Sequence, residues 1–471
     1  MTSVSSARST PVAWSVLVPL ALAQFICSFA GSNMNVMLND MSRDLNTTVH
    51  GIQISITLFL LVMAALMIPF GKLTVQLGRK VCFVLGLAIY GVGAVVSALS
   101  PGLGVLIIGN SILEGAGTAL LIPPVYILVT MYWKGIADRA RAFGLVSAAG
   151  GVGAATGPLI GGWICAFISW RAAFGFQALV IVVILILAIR IKDPLPAEPG
   201  RPYDVVGAVL SGLGLIVFVL GILAADNNLI ACLALMAGGA GIIALFFWWV
   251  RRREAKGREP LLSTKLFRVR VSNLGLVTQN LQWLLLMGVS MLVASHLQVV
   301  RGYDAIQTGV IFSAATVGIL ASSLAAGTLV KRFAQRTLII TGFLITGVGL
   351  ILLLIVGGVP DAWAYAWGLF AIGIGIGVML TPSVNLVQSA FPEEQQGEIS
   401  GLSRSISNLG SSFGTAIVGT VLVLGVSGPH DQYVLALVPL VAVAVIGMIV
   451  AGFLPGRAAR SQQAATAATT T

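Results

Sequence analysis

Residues 153–162 read Gly153-Ala-Ala-Thr-Gly157-Pro158-Leu-Ile-Gly161-Gly162 inside one long apolar run. Five of these ten positions disfavour a helix, and in water each Gly costs roughly 1 kcal/mol and Pro about 3 kcal/mol relative to Ala. In lipid the backbone must still satisfy its own hydrogen bonds, so the run stays helical. Small residues then let a second helix approach closely, and Pro158 removes one backbone donor and sets a kink. A tightly packed, bendable helix in a membrane is a candidate moving part. The plainer reading is a close-packed helix that never moves.

The rest of the chain supports a membrane setting. Hydrophobic residues make up 57% and charged residues 9% of the 471 positions, where a soluble chain would carry about a quarter charged residues. A helical span needs about 20 mostly apolar residues. Such stretches occur at 12–37, 51–70, 81–100, 103–131, 140–168, 171–192, 204–224, 229–250, 271–296, 305–330, 337–357, 362–388, 399–425 and 432–454. The expectation is therefore an all-α membrane protein with 14 transmembrane spans. The first span is long and lacks a cleavage site ahead of a soluble domain, so it reads as a span and not as a signal peptide.

A net charge of +11 raises the question of nucleic acid, but the placement of the charge answers it. With the N-terminus inside, Lys72, Arg79, Lys80, Lys134, Arg139, Arg141, Arg190, Lys192, Arg201, Lys331, Arg332 and Arg336 all fall on the cytoplasmic side. The dense run from Arg251 to Arg270 joins them, and the opposite side holds Arg43, Arg171 and Arg301. This is the positive-inside pattern. It predicts cytoplasmic termini, a lipid partner and no nucleic-acid partner. Short loops favour a bacterial inner membrane.

Cys27, Cys82, Cys165 and Cys232 lie in apolar stretches without metal-ligand spacing, so neither a disulfide framework nor a metal site is expected. His50, His296 and His430 are widely separated and add no metal motif. No G-x-x-x-x-G-K-[ST] loop is present, so direct drive by ATP is not expected.

The Pro-rich segment 192–202 and the basic segment 251–270 bracket two spans that read as an insert. Removing them leaves two six-span halves, with 1–192 as the first, 193–265 as linker and insert, and 266–471 as the second. A weak echo relates the halves: Gly71-Lys-Leu73 leads to Gly78-Arg79-Lys80, and Gly327-Thr-Leu329 leads to Ala334-Gln-Arg336. Repeats of this kind commonly build transporters that rock about a central site.

These features resemble the fourteen-span drug:proton antiporter family of the major facilitator superfamily. Residues 153–162 are similar to its antiporter motif, G-x-x-x-G-P-x-x-G-G. Gly71 to Lys80 is similar to its G-x-L-a-D-r-x-G-r-k loop, and Ser169-Trp-Arg171, Tyr203-Asp204 and the run from Phe391 through Gly401 to Gly414 also fit. The resemblance implies two pseudo-symmetric six-helix bundles plus two inserted helices. It also implies export of hydrophobic drugs, cations among them, by a monomer with no bound cofactor and a proton gradient as drive.

The departures from the pattern matter as much. Val75 stands at the loop's acidic position, Ser111 and Glu114 stand where span 4 usually has Arg and Gln, and Ala30 stands where span 1 usually has a carboxylate. In span 13 Ser407 takes a usual Arg position and Arg404 a usual Asn position. Glu114 is then the clear intramembrane acid, about 16 Å along its span. Burial there favours its neutral form. Since span 4 lines the superfamily's cavity, Glu114 is the leading candidate for proton or substrate coupling. It could instead be a structural acid, or one half of an ion pair with Arg404. Asn33, Asn35, Gln53, Gln279, Asn280, Trp283 and Asn385 are candidate cavity residues, and many such groups serve as interhelical glue. Gly71, Gly78, Arg79, Lys80, Gly153, Gly157, Pro158, Gly161 and Gly162 are the candidate conformational elements. No pattern for covalent catalysis appears. The alternatives to drug export are a facilitator or importer of a neutral or anionic metabolite, with Arg404 as its anion contact, and a non-transporting membrane sensor.

Overall fold

A computed structural model describes residues 11–133, 136–194, 197, 200, 202–223, 229–359, 361–391, 395–423 and 429–456. The two ends of the chain, linker residues 195, 196, 198, 199 and 201, and residues 392–394 of the Phe391 run lie outside the described residues. Regular structure among the described residues is helical throughout. The long helices are α1 (Pro11–Asn33), α2 (Val49–Leu77), α3 (Arg79–Ala98), α4 (Leu103–Tyr132), α5 (Ile136–Phe167), α6 (Trp170–Ala188) and α7 (Val205–Leu223). They continue as α8 (Leu229–Ala255), α9 (Arg270–Ser295), α10 (Ala305–Arg332), α11 (Gln335–Val356), α12 (Trp363–Gln388), α13 (Gln396–Val423) and α14 (Pro429–Gly452).

Eleven helices among the described residues are long and apolar enough to cross a membrane, or twelve when the two limbs of α5 count as one. The apolar run in α7 is shorter, Val205–Gly221, and α13 is rich in serine. The pattern of burial is inverted relative to a soluble protein. Ile186 and Trp367 are 61% and 72% exposed, whereas Gln24, Asn33, Thr118, Gln177 and Gln282 are buried. Apolar side chains face outward and polar groups are gathered inside, the arrangement that suits a lipid surround. This is a multi-pass membrane protein.

Helix packing falls into two groups. In the first, α1 packs on α5, α2 on α4, and α3 on both α4 and α6. In the second, α9 packs on α13, α10 on α12, and α11 on both α12 and α14. Two crossings, α5 with α10 and α2 with α13, carry most of the seam between the groups. Helices α7 and α8 pack on each other, and α7 also meets α2 and α13. Buried Asp204 anchors this pair. Its carboxylate accepts hydrogen bonds from Gly207 N at 3.0 Å, Trp249 Nε1 at 3.0 Å and Leu261 N at 3.1 Å, and faces Arg253 at 3.6 Å.

The glycine-rich face of α5 shows why small residues are needed there. A Cβ at Gly153 would collide with the Phe25 carbonyl oxygen, and one at Gly157 with Ser32 Oγ. At Gly161 a Cβ would lie 3.1 Å from Asn33 Cβ. Gly162 is buried beside them. On the far side, a Cβ at Gly309 of α10 would lie 2.6 Å from the Pro158 carbonyl oxygen. Helix α5 is thus clasped between α1 and α10. Its limbs Arg141–Ala154 and Thr156–Phe167 meet at 43°. The bend falls one turn before Pro158, which cannot donate to the Ala154 carbonyl.

Candidate functional site

At the seam between the two groups, a narrow cleft is lined by Gln24 of α1, Tyr126 of α4, Ser147 and Gly150 of α5, Trp283 of α9, Leu380 and Val384 of α12, and Arg404 of α13. Prolines shape two of these walls: Pro123 and Pro124 just precede Tyr126, and Pro382 lies between Leu380 and Val384. Arg404 is 5% exposed. Its guanidinium lies 5.6 Å from the Tyr126 ring centroid and 5.3 Å from that of Trp283. It stands eight residues into α13, about 12 Å from the helix start. Tyr126 Oη donates to Gln24 Oε1 at 3.4 Å, and Gln24 Nε2 to Ser28 Oγ at 3.2 Å.

Both ends of the cleft are closed. At the basic end, Lys72 Nζ of α2 donates to Glu398 Oε1 of α13 at 2.9 Å, and Ser405 Oγ donates to the Ala64 carbonyl at 2.6 Å. Helices α2 and α13 meet tightly here: a Cβ at Gly401 would lie 3.0 Å from Met67 O and 3.6 Å from Gly71 Cα. At the opposite end, Asn35 Nδ2 donates to Ser290 Oγ at 3.2 Å, and Gln298 Nε2 donates to the Asn35 carbonyl at 2.7 Å.

Glu114 does not line this cleft. It ends a wide π-helical stretch of α4, Ile107–Glu114, and is fully buried. Ser97 Oγ of α3 donates to its Oε1 at 2.9 Å, while its Oε2 has no hydrogen-bond partner. A Cβ at Gly93 would lie 2.9 Å from Glu114 Cγ, so the acid points into the α3–α4 contact. No ion pair joins it to Arg404 among the described residues.

Of the other expected cavity residues, Trp283 lines the cleft. Asn280 Nδ2 instead donates to the Ile406 carbonyl at 2.7 Å, and Gln279 Oε1 accepts from Ser403 Oγ at 2.7 Å; both tie α9 to α13. Asn35 belongs to the end closure. Asn33 is buried against the α5 glycines with neither side-chain atom hydrogen-bonded. Gln53 and Asn385 are half-buried and are not among the cleft-lining residues. In the Gly71–Lys80 loop, Gly78 takes φ +99°. Asp193 accepts from Arg79 N at 2.6 Å and Lys80 N at 3.2 Å, and Lys80 Nζ donates to the Ile189 carbonyl at the end of α6 at 3.1 Å. The Lys80 ammonium thus serves a helix end inside its own group.

Sequence reasoning missed Tyr126 and Ser147 as lining residues. Tyr126 sits in a continuous apolar run and Ser147 among alanines and glycines, so no periodicity marked either. Gln24 was visible only as a polar residue of the first span.

A family profile described as Major Facilitator Superfamily matches residues 20–225 and 205–415. Among curated proteins, the chain is 27% identical over 423 residues to the multidrug efflux pump LfrA of Mycolicibacterium smegmatis, covering 88% of this chain and 82% of that protein. It is 28% identical over 420 residues to the puromycin resistance protein pur8 of Streptomyces alboniger, covering 87% and 82%. Among solved structures, the human organic anion transporter MFSD10 superposes with a TM-score of 0.65 at 14% identity, covering 94% of this chain and 100% of that one. The proton:xylose symporter XylE does so with a TM-score of 0.66 at 13% identity, covering 94% and 96%. At those identities the superpositions speak for the fold alone.

Proposed function

The chain belongs to the Major Facilitator Superfamily, and from that premise we propose that it is a secondary transporter exporting hydrophobic small molecules by proton antiport. The observation that carries this reading is the cleft at the seam of two helix groups, closed at both ends by contacts that cross the seam. Transport by alternating access needs such a site, exposed to one side when one closure opens and to the other side when the second does. The similarity to a multidrug efflux pump and a drug resistance protein supports export.

In this reading the chain makes 14 spans, with α7 and α13 completing the set, and α1–α6 and α9–α14 are pseudo-symmetric bundles. The matched packing within the two groups supports that division. The basic end faces the cytoplasm of a bacterium, both termini lie on that side, and the protein works as a monomer in the inner membrane. Glu114 carries the proton, Arg404 contacts substrate, and the glycine face of α5 together with the Pro158 bend lets the groups rock. No cofactor takes part.

The experiment is efflux of a panel of fluorescent hydrophobic compounds, cationic, neutral and anionic, from pump-deficient cells expressing the chain, with and without a protonophore. Export abolished by the protonophore is the expected result. Export that persists after the gradient collapses would sink proton antiport. A second reading, import or facilitated passage of a metabolite, is favoured by one observation: the charged side chain lining the cleft is a cation, Arg404. Inward counterflow without proton movement would select it.

A further inference from the structure

Building on the transporter reading, we infer that the cleft around Arg404, with room for only about 10 Å³ in this conformer, opens to bind an aromatic organic anion, with a carboxylate held by the guanidinium and the ring against Tyr126 and Trp283. An arginine side chain keeps its charge in any protein environment. Arg404 is 5% exposed, and its Nε has no hydrogen-bond partner. No carboxylate lies within 4.0 Å of it among the described residues. Two candidate partners are engaged elsewhere: Glu398 with Lys72 at the basic end, and Glu114 with Ser97 in the α3–α4 contact. Cation–π contact with Tyr126 and Trp283 offsets only part of the cost of removing a guanidinium from water.

The remaining chemistry of the cleft points the same way. Ser147 Oγ is buried without a partner, while the Gln24 oxygen already accepts from Tyr126. The unmet pure donor is Arg404 Nε, and the Ser147 hydroxyl can donate beside it. A planar fork of N–H donors matches a carboxylate with two parallel hydrogen bonds. Trp283, Tyr126, Leu380 and Val384 supply the apolar and aromatic wall. Closing the cleft over a bound cation would trap two like charges in a low dielectric, whereas closing it over a monoanion leaves a neutral pair.

Equilibrium dialysis of the purified full-length protein in lipid nanodiscs tests this with three matched probes: 1-naphthoate, 1-naphthamide and 1-naphthylmethylammonium. The expected order puts naphthoate first, by about ten- to a hundredfold over the amide, the size of a charge-assisted hydrogen bond. Arg404→Gln should erase that preference and Arg404→Lys should keep part of it. If Arg404→Gln does not fold, the comparison among probes on the wild-type protein still decides. Naphthoate binding no tighter than the amide, or absent, overturns the inference, as does a preference for the ammonium. The same protein in proteoliposomes separates the two readings. Naphthoate binding without movement of any probe would overturn transport and leave the site, whereas proton-linked movement of other compounds without naphthoate binding would do the reverse.

Discussion

Lys72 on α2 and Glu398 on α13 form an ion pair of 2.9 Å across the seam of the molecule, with side chains only 5% and 15% exposed. Glu259 adds a second carboxylate 3.6 Å from the same ammonium, and Glu398 also accepts from Ser263 N at 3.0 Å. The pair's lysine stands in the motif whose usual acid is replaced by Val75. The pair is a bond between groups that must separate for the basic end to open.

Removing it should therefore shift the molecule toward opening at that end. Lys72→Met and Glu398→Gln should each speed thiol labelling of a cysteine introduced at Ser405, whose hydroxyl lies at the same closure. A double-mutant cycle on stability should give a coupling of about 0.5–3 kcal/mol, the range for residues in direct contact. Unchanged labelling in both variants would show that the pair does not hold the end shut.

The glycines of α5 make a prediction about packing. Gly157→Ala places a Cβ against Ser32 Oγ and 3.0 Å from Asn33 N, so α1 and α5 must separate. Overpacking of this kind costs about 1–3 kcal/mol and should lower the thermal midpoint. Gly241→Ala in α8 is the control, because nothing lies within 4 Å of its Cβ. It should be neutral or should stabilise by up to about 1 kcal/mol through helix propensity. Equal effects at both positions would remove close packing as the reason for the motif.

What was legible in the sequence follows from what a membrane forces on a chain. Long apolar runs had to be helices because lipid offers no other partner for the backbone, and the glycine spacing of α5 marked a contact face before any neighbour was known. Which helix Glu114 faces was not legible. A lone acid near the middle of a span has a depth from sequence but no azimuth, and the π-helical stretch before it shifts the register of every side chain that follows. Asn280 and Gln279 failed as cavity candidates for a related reason. A polar residue in a span looks the same whether it meets a solute or the neighbouring helix. Arg404 was legible as an intramembrane cation, while the aromatic pair beside it comes from helices far apart in sequence.

Asp204 should be the residue on which the α7–α8 pair depends. It is 1% exposed and takes hydrogen bonds from two backbone amides and Trp249, with Arg253 at 3.6 Å. Asp204→Ala leaves those donors unpaired and Arg253 with only the Glu259 carbonyl, at a cost of the order of 3 kcal/mol. Limited proteolysis should then cut the 251–263 segment faster than in the wild type. If the segment stays equally resistant, the carboxylate is not what holds it.

Outside the spans, Asp44 links stability to pH. The hydrogen bond from Arg171 holds its carboxyl below the usual value, with a second bond from Trp170 Nε1 acting in the same direction. A depressed folded-state pKa contributes stability that is complete above the unfolded value of about 3.9 and is lost as pH falls through the folded value. The carboxylate is largely exposed, so the effect is small. Between pH 5 and pH 3, about the window in which this carboxylate protonates, Asp44→Asn should flatten part of the acid-side fall in melting temperature. Parallel curves for the two proteins would mean the contact has no linkage to folding.

The last prediction concerns Glu114 and separates its proton from its packing. Its Oε1 accepts from Ser97, its Oε2 is unpaired, and the whole side chain is enclosed by α3 and α4. Gln has the same shape, still accepts from Ser97 through its amide oxygen, and carries no exchangeable charge. Glu114→Gln should therefore keep the wild-type melting temperature to within about 1 kcal/mol of stability while proteoliposomes lose transport driven by an imposed pH gradient. Exchange of substrate against substrate across the same membrane should continue, because it needs the cleft and the rocking helices but no net proton movement. Glu114→Ala should do worse, since it opens a cavity beside Ser97, whose hydroxyl keeps only the Gly93 carbonyl as acceptor. If Glu114→Gln retains full gradient-driven transport, the acid is structural and the proton travels elsewhere. If exchange is lost as well, the carboxylate is needed for the conformational change itself.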